Sequence, residues 1–515
     1  MTTPPSDSLA SLQSHNPSTD DSFVHVSPPQ PPTGSTEPHA PTLTLTLRQK
    51  NAMVGLNSTT PTSNQYVATI TASQLMGVED RSPVDIAVAL DVSGSMSGSK
   101  LDLCKKTILV LISELKSTDR LSLSTFSDDA KEIFPLTSLT QVAKDDVIRK
   151  VTSIRSTGCT NISGGLGMSV SSLLSSPPPP SSSSTIRSVL LLTDGHANRG
   201  ISVPDALLSL VKKMVPSSEN ISINTFGYGS DHNADLLKGI SEAADKSKGS
   251  YYFVDGEDNV SSAFGDCLGG LMSVAAQNIK LTINVGKSDE EGKIDFKVKH
   301  PSAKVDPGNP LAKTLQLGDV FAEEVKDFLI DVNYATAVTS EVVVTAKLNY
   351  LDISSSSLVE SPESTISTSF VEGTPEVSET DKYVLLQGLR VKVAETLEMA
   401  NTRARRSGAI EEARRMITEL LASITSDARG LSLTPAEQQV VRVYEADLRD
   451  CMLDMVSYER YEEMGSKKMM LKMQSHAMQR CNESSEVTAN AYRGSSKMEY
   501  AKRMKGKMGS MFGGK

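Results

Sequence analysis

Five oxygen-bearing residues stand where a hard cation could be held. Asp91, Ser93 and Ser95 lie in Asp91-Val92-Ser93-Gly94-Ser95, Thr160 in Gly158-Cys159-Thr160-Asn161, and Asp194 in Leu192-Thr193-Asp194-Gly195. The alternation Asp91-x-Ser93-x-Ser95 lets three side chains of one tight loop point at a single centre. Gly94 is expected to allow a sharp bend, and Gly98 to ease the start of the next helix. Magnesium takes about six oxygens near 2.0–2.1 Å and usually keeps some waters. Two carboxylates beside neutral hydroxyls leave such an ion electron-poor, so it can admit an outside carboxylate. Magnesium is the expected ion, with manganese or calcium as alternatives. No catalytic residue and no organic cofactor is assigned. Gly94 to Lys100 is not a phosphate loop, because Ser99 precedes Lys100 and Leu101 follows it. A serine nucleophile would want a matched base, and no Gly-x-Ser-x-Gly elbow is present. His196 reads as a rim residue and His232 as a turn and helix-cap residue.

Loops of this kind must be carried by buried strands. Val84 to Leu90 is an almost continuous apolar run, as expected of a strand covered on both faces. A helix follows with Leu101, Cys104, Ile108, Leu111, Ile112 and Leu115 on one side. The alternation continues with a strand at 120–126, helices at 142–154 and 162–174, a strand at 189–192 and a helix near 205–214. A strand at 221–226, a helix at 234–244 and a strand at 251–254 complete it. This grammar predicts a doubly wound, mostly parallel α/β sheet, Rossmann-like, with Asp91 and Asp194 directly after its two central strands. Pro177 to Ser184 reads as an exposed loop.

Other patterns flank this domain. Thr42 to Leu47 and Gln65 to Ile70 alternate like half-buried strands, and so do stretches at 281–285, 294–298 and 341–346. Two strands alone do not make a stable sheet. The α/β domain is therefore expected to be inserted in, or flanked by, a β-sandwich. After Tyr350 the chain reads as a Ser/Thr/Glu-rich linker with one further strand at 366–371. Helices follow: one over 383–399, one with Ile410, Ala413, Ile417, Leu420, Leu421 and Ile424 on a face, and one opened by Thr434-Pro435-Ala436-Glu437. The expected division is a disordered Pro/Ser-rich tail over 1–40, first sandwich strands over 41–82 and the α/β domain over 83–276. The remaining sandwich strands fill 277–372, a helical domain 373–490, and a basic tail 491–515. Gly506, Gly509, Gly513 and Gly514 make that tail read as solvated. Glu323 and Glu324 read as sandwich surface charges.

The formal charge of −10 over 515 residues disfavours nucleic-acid binding, which needs a basic face. No apolar stretch follows a basic start, and no run approaches bilayer length. The five cysteines are scattered, with no Cys-x-x-Cys pair, which excludes a zinc module of usual spacing. A cytoplasmic address is expected.

Asp91-Val92-Ser93-Gly94-Ser95-Met96, with Thr160 and Thr193-Asp194-Gly195, resembles the metal-ion-dependent adhesion site of von Willebrand factor A (vWA) domains. The resemblance implies direct ligation by Ser93 and Ser95, direct or water-mediated ligation by Thr160, and contacts mainly through water from Asp91 and Asp194. Asp119 to Ser122 and Phe226 to Gly229 agree with it. Arg81 to Asp85, Gly318 to Glu324 and Ser475 to Arg480 are similar to plant and protist vWA proteins of the RING-type ubiquitin-ligase group. Those ligases carry a cysteine-rich RING ahead of the domain, whereas this chain has no cysteine before Cys104. The expected function is that of a scaffold or adaptor, not an enzyme, gripping a protein partner's exposed Asp or Glu through the metal. The alternative is a substrate-recruiting component of a ubiquitin-ligase assembly.

Overall fold

Alternation sets the opening strands. The structure, a computed structural model, describes residues 42–56, 62–74, 81–178, 184–244, 246–287, 290–335, 341–373, 380–480, 492 and 494–512. The expected tail over 1–40 lies outside the described residues, as does most of the loop expected over 177–184. In β1 (Leu43–Gln49) Leu43, Leu45 and Leu47 turn inward while Thr44 and Thr46 are exposed. A short β2 (Met53–Leu56) leads to β3 (Thr62–Ala72), which pairs antiparallel with β1, Leu45 opposite Ile70.

The α/β domain comes next. Every residue of β4 (Val84–Asp91) is buried. Ala87 and Ala89 enter one core, whereas Ile86, Val88 and Leu90 enter the other. The chain then forms α1 (Ser99–Glu114), β5 (Arg120–Phe126), β6 (Ala130–Ser138), α2 (Gln141–Ser153), α3 (Ile162–Leu174), β7 (Ile186–Thr193) and α4 (Pro204–Met214). After these come β8 (Ile221–Tyr228), α5 (Ala234–Glu242), β9 (Tyr251–Val254) and α6 (Glu257–Leu271). Their sheet runs β6-β5-β4-β7-β8-β9, parallel except for the β5–β6 pair. α1, α2 and α6 cover one face, and α3, α4 and α5 the other. The chain winds outward from β4 to β5 and β6, then returns to build β7 to β9 on the other side. A crevice therefore opens at the carboxyl ends of β4 and β7.

The sandwich resumes without a linker: α6 ends at Leu271 and β10 (Val274–Val285) begins three residues later. It continues through β11 (Ile294–Val298), β12 (Ala303–Asp306), β13 (Asn309–Gln316), β14 (Val320–Phe321) and β15 (Val325–Tyr334). It closes with β16 (Val342–Asp352), β17 (Ser357–Glu360) and β18 (Ser364–Glu372). One sheet is ordered β1-β3-β15-β11, and the other β12-β13-β10-β16-β18-β2 with β14 on β10 and β17 on β16. The stretch after Tyr350 is thus mostly strand and not linker. Its threonines, serines and valines suit a pleated, half-buried edge, and Thr368 is fully buried.

The helices α7 (Lys382–Ser407), α8 (Ile410–Arg429) and α9 (Pro435–Leu453) share one core with a helix over Ser466–Met478. α7 runs past Met399 because Ala400 and Ala404 continue its buried face, and it stops at Gly408 in a left-handed cap (φ 60). Thr434 and Glu437 form the expected capping box.

The solvated C-terminal tail is overturned. Ser495–Phe512 is a helix packed along α6, burying Tyr500, Ala501, Met504 and Met508. Gly506 and Gly509 face open space, so they weaken the helix without breaking the seam. Gly265 of α6 is what permits close approach, since a Cβ there would lie 2.6 Å from the Ala501 Cα. Lys497 meets buried Asp266 at 3.2 Å, and Arg503 and Lys507 both pair with buried Glu114.

Glu324 is likewise not a surface charge. It is buried against Arg480 (2.8 Å) and Lys326 (3.1 Å), while Arg480 also donates to the Asp319 carbonyl. Two of the three outlying segments quoted above, 318–324 and 475–480, therefore meet in one ionic junction. The third holds the base of the α/β sheet: Arg81 donates to Asp119 at 2.9 Å and Arg120 to Asp85 at 2.8 Å.

Candidate metal centre

Three loops meet at the crevice. β4 delivers Asp91, whose Oδ1 accepts the Ser93 N–H (2.9 Å) and whose Oδ2 accepts the Thr193 hydroxyl (2.6 Å). These two bonds lock the loop after β4 to the end of β7. The N–H of Gly94 donates to the Gly158 carbonyl (3.0 Å) and that of Thr157 to the Val92 carbonyl (2.7 Å), which brings up the loop carrying Thr160. Ser93 Oγ lies 3.1 Å from Ser95 Oγ, and Ser95 Oγ donates to Asp194 Oδ1 at 3.0 Å. Asp91, Ser93, Thr160 and Asp194 are all buried, whereas Ser95 is exposed. The result is a cup with a buried polar floor and an open rim.

Thr160 does not cap the helix that follows it. Asn161 takes that role, its side chain accepting the Gly164 N–H at 2.9 Å. The Thr160 N–H donates to Asn198 Oδ1 (2.8 Å) and its carbonyl accepts the Asn198 and Arg199 N–H groups (3.2 Å each). Its hydroxyl makes no hydrogen bond among the described residues. A side-chain oxygen of a buried residue, left without a protein partner, suits an outside ligand.

The donor set fits a small, hard cation. Neighbouring oxygens on an octahedron of radius about 2.1 Å are about 3 Å apart. The two steps of the Ser93–Ser95–Asp194 row, 3.1 and 3.0 Å, match that edge. Among the described residues no group of three or more His, Cys, Asp and Glu side chains could hold a metal, so softer, nitrogen- or sulfur-rich coordination has no counterpart.

The electrostatics lean negative. Burial raises the Asp91 carboxyl to about 6; the Thr193 and Ser93 hydrogen bonds offset part of this, and Asp194 adds repulsion. Lys100 stands at the rim, 3.1 Å from Asp194 Oδ2 and 3.2 Å from Asp231. Burial works against its charge, but the Asp194 and Asp231 carboxylates raise its pKa overall.

Sequence reasoning identified the five oxygens but not Lys100, Asp231 or Asn198. Lys100 follows the serine loop closely and was readable there as a neighbour of the site. Asp231 and Asn198 come from the loops after β8 and β7, and no local spacing marks them. Gly94 has ordinary backbone and room for a Cβ, so the sharp bend does not require it. The left-handed position is Gly98 (φ 75). His196 is exposed at the rim, against the Asp231 carbonyl. His232 is buried beneath it, hydrogen-bonded to the Gly229 carbonyl at 2.6 Å, while Asn233 caps α5. Burial lowers His232 to about 4, keeping its ring neutral.

Residues 85–266 match the family model of the von Willebrand factor type A domain. This chain carries a von Willebrand factor type A domain. Among curated proteins, an uncharacterized protein of Synechocystis sp. is 24% identical over 297 residues, 56% of this chain and 65% of that protein. The E3 ubiquitin-protein ligase WAV3 of Arabidopsis thaliana is 26% identical over 269 residues, 52% of this chain and 33% of the ligase. The chain thus spans less than two thirds of these relatives. Among solved structures, a von Willebrand factor type A protein from Catenulispora acidiphila aligns with TM-score 0.59 at 15% identity, covering 83% of this chain and 97% of that one. The ArnB paralog VWA2 from Sulfolobus acidocaldarius aligns with TM-score 0.54 at 17% identity, covering 85% and 99%. The fold shared with these two proteins therefore extends well beyond the A domain. Among the described residues no helix is long and apolar enough to cross a membrane.

Proposed function

We propose that Asp91, Ser93, Ser95, Thr160 and Asp194 hold a divalent cation, magnesium by preference, with manganese or calcium able to replace it. The bound ion supplies Lewis acidity toward an incoming carboxylate. The chain's own residues set the rest. Asp91 orients the Ser93 loop, Asn198 fixes the Thr160 backbone, and Lys100 holds one oxygen of Asp194 while the other faces Ser95. The open rim at Ser95 is where an Asp or Glu side chain of a protein partner completes the shell. The protein works as a scaffold or adaptor without turnover. The row of Ser93, Ser95 and Asp194 oxygens at octahedral-edge spacing carries this reading.

In this reading 83–276 is the gripping domain, 41–82 and 277–372 form one supporting sandwich, and 373–490 is a helical module. α6 passes straight into β10, which gives a shift of that helix on binding a direct route to the sandwich. Among the described residues Cys104, Cys159 and Cys267 are thiols outside any disulfide, which favours a reducing, cytoplasmic address. The test is affinity capture from cell extract with wild type and Asp91→Ala, each with magnesium or with EDTA. Partners retained only by wild type in magnesium are expected; the same partners in all four arms contradict the reading.

A second reading is recruitment of substrates to a ubiquitin-ligase assembly, supported by the 26% identity to WAV3 across 52% of the chain. Co-purification of a charged ubiquitin-conjugating enzyme or a ligase subunit with the full chain is its expected signature. Absence of both from the magnesium-dependent set counts against it.

A further inference from the structure

At the opposite end of the A-domain sheet from the metal centre, a groove of about 840 Å³ separates the ends of α4 and α5 from β12 and β13 of the sandwich. Five lysines line it: Lys212, Lys246 and Lys248 from the A domain, and Lys280 and Lys304 from the sandwich. Among the described residues the one acidic side chain in the lining is Glu242, already held by Lys238 at 3.8 Å and the Gln474 amide at 3.4 Å. The side chains of Lys246, Lys248, Lys280 and Lys304 have no salt bridge or hydrogen bond among the described residues. A chain of net charge −10 thus gathers unpaired positive charge on two facing walls.

We propose that this groove docks an acidic, Asp/Glu-rich polypeptide segment of a protein partner. Low-dielectric walls bearing one sign of charge focus the field between them and draw in the opposite charge. Half-buried His300 lies beside Lys248: burial is the first cause of its fall to about 3, and Lys248, together with Lys326 and Arg390 outside the groove, pushes it the same way. Other polyanions fit the lining less well. Among the described residues it contains no arginine to grip a phosphate with two parallel hydrogen bonds and no aromatic ring to stack a base. Its lysines stand on opposing walls, which a flat lipid surface does not enter. An extended peptide, with carboxylates pointing alternately to either side, reaches both. The site requires no metal, so it stands apart from the function proposed above.

Fluorescence anisotropy of a labelled peptide of alternating Glu and Asp, titrated with the full chain in low-salt buffer, tests this. In EDTA, which leaves the metal centre empty and so tests the groove alone, saturable binding weakened by added salt is expected. Lys246→Glu/Lys304→Glu, one change on each wall, is expected to weaken it about tenfold or more, and Lys246→Gln/Lys304→Gln by less. Circular dichroism confirms that both variants are folded, and the neutral pair serves if the reversed pair is not. Equal affinity of wild type and variants overturns the proposal. So does tighter binding of an equally charged oligothymidylate or of phosphatidylserine vesicles through the same lysines.

Discussion

Asp91 and Glu324 are both buried carboxylates, and their surroundings drive them in opposite directions. Burial raises Asp91 to about 6, because its partners are a hydroxyl and an N–H and its neighbour Asp194 is another acid. Burial pushes Glu324 the same way, but Arg480 and Lys326 outweigh it and hold the group at about 2. One cluster is closed and neutralised from within. The other pairs no buried cation with Asp91 among the described residues and opens to solvent at Ser95, where the ammonium of Lys100 is shared between Asp194 and Asp231. A buried acid with its own cations is architecture; a buried acid among hydroxyls is prepared for a cation from outside.

The contrast can be broken from either side. The largest effect is expected from Arg480→Met, which strands Glu324 inside the junction. Urea unfolding should show a loss of about 3–5 kcal/mol, and an unchanged midpoint would make the junction ornamental. Next comes acid. Glu324, and Asp447 buried on α9 against His476 (3.0 Å) and Lys472 (2.7 Å), sit at about 2, below their ordinary values of 4.5 and 3.8. The stability they add is therefore complete above about pH 4.5 and is lost as pH falls toward about 2. Glu324 accounts for on the order of 3 kcal/mol of it. Unfolding followed across that window should steepen for wild type and flatten for Glu324→Gln. The smallest effect has the opposite sign. In EDTA, Asp91→Asn removes an uncompensated buried charge and should raise stability by about 1 kcal/mol. Magnesium should then stabilise wild type alone, measured by thermal unfolding.

Much of this division was readable along the chain, for physical reasons that differ by region. Asp91 and Asp194 follow apolar runs buried on both faces, so strand ends and acids could be placed together from local pattern. Thr160 sits in a loop whose place beside them depends on Gly158 and Val92 contacts that no spacing announces. β15 escaped the apolar alternation because its opening residues include Lys326 and Asp327, both buried and bonded to groups far along the chain, the Met478 carbonyl and the Tyr383 hydroxyl. The same reason hid the junction: Arg480 lies 156 residues from Glu324. β6 went unmarked since Pro135, Lys131 and Glu132 suit an edge strand but break its pattern. The C-terminal helix was obscured by its glycines, which face outward and leave the Tyr500, Met504 and Met508 seam intact.

Manganese titration monitored by electron paramagnetic resonance puts the metal centre itself to the test. Wild type should bind one ion per chain, displaced by magnesium, while Ser93→Ala and Asp194→Ala, folded by circular dichroism, should bind none at the same concentrations. Undiminished binding by both variants would place the ion elsewhere and contradict the account.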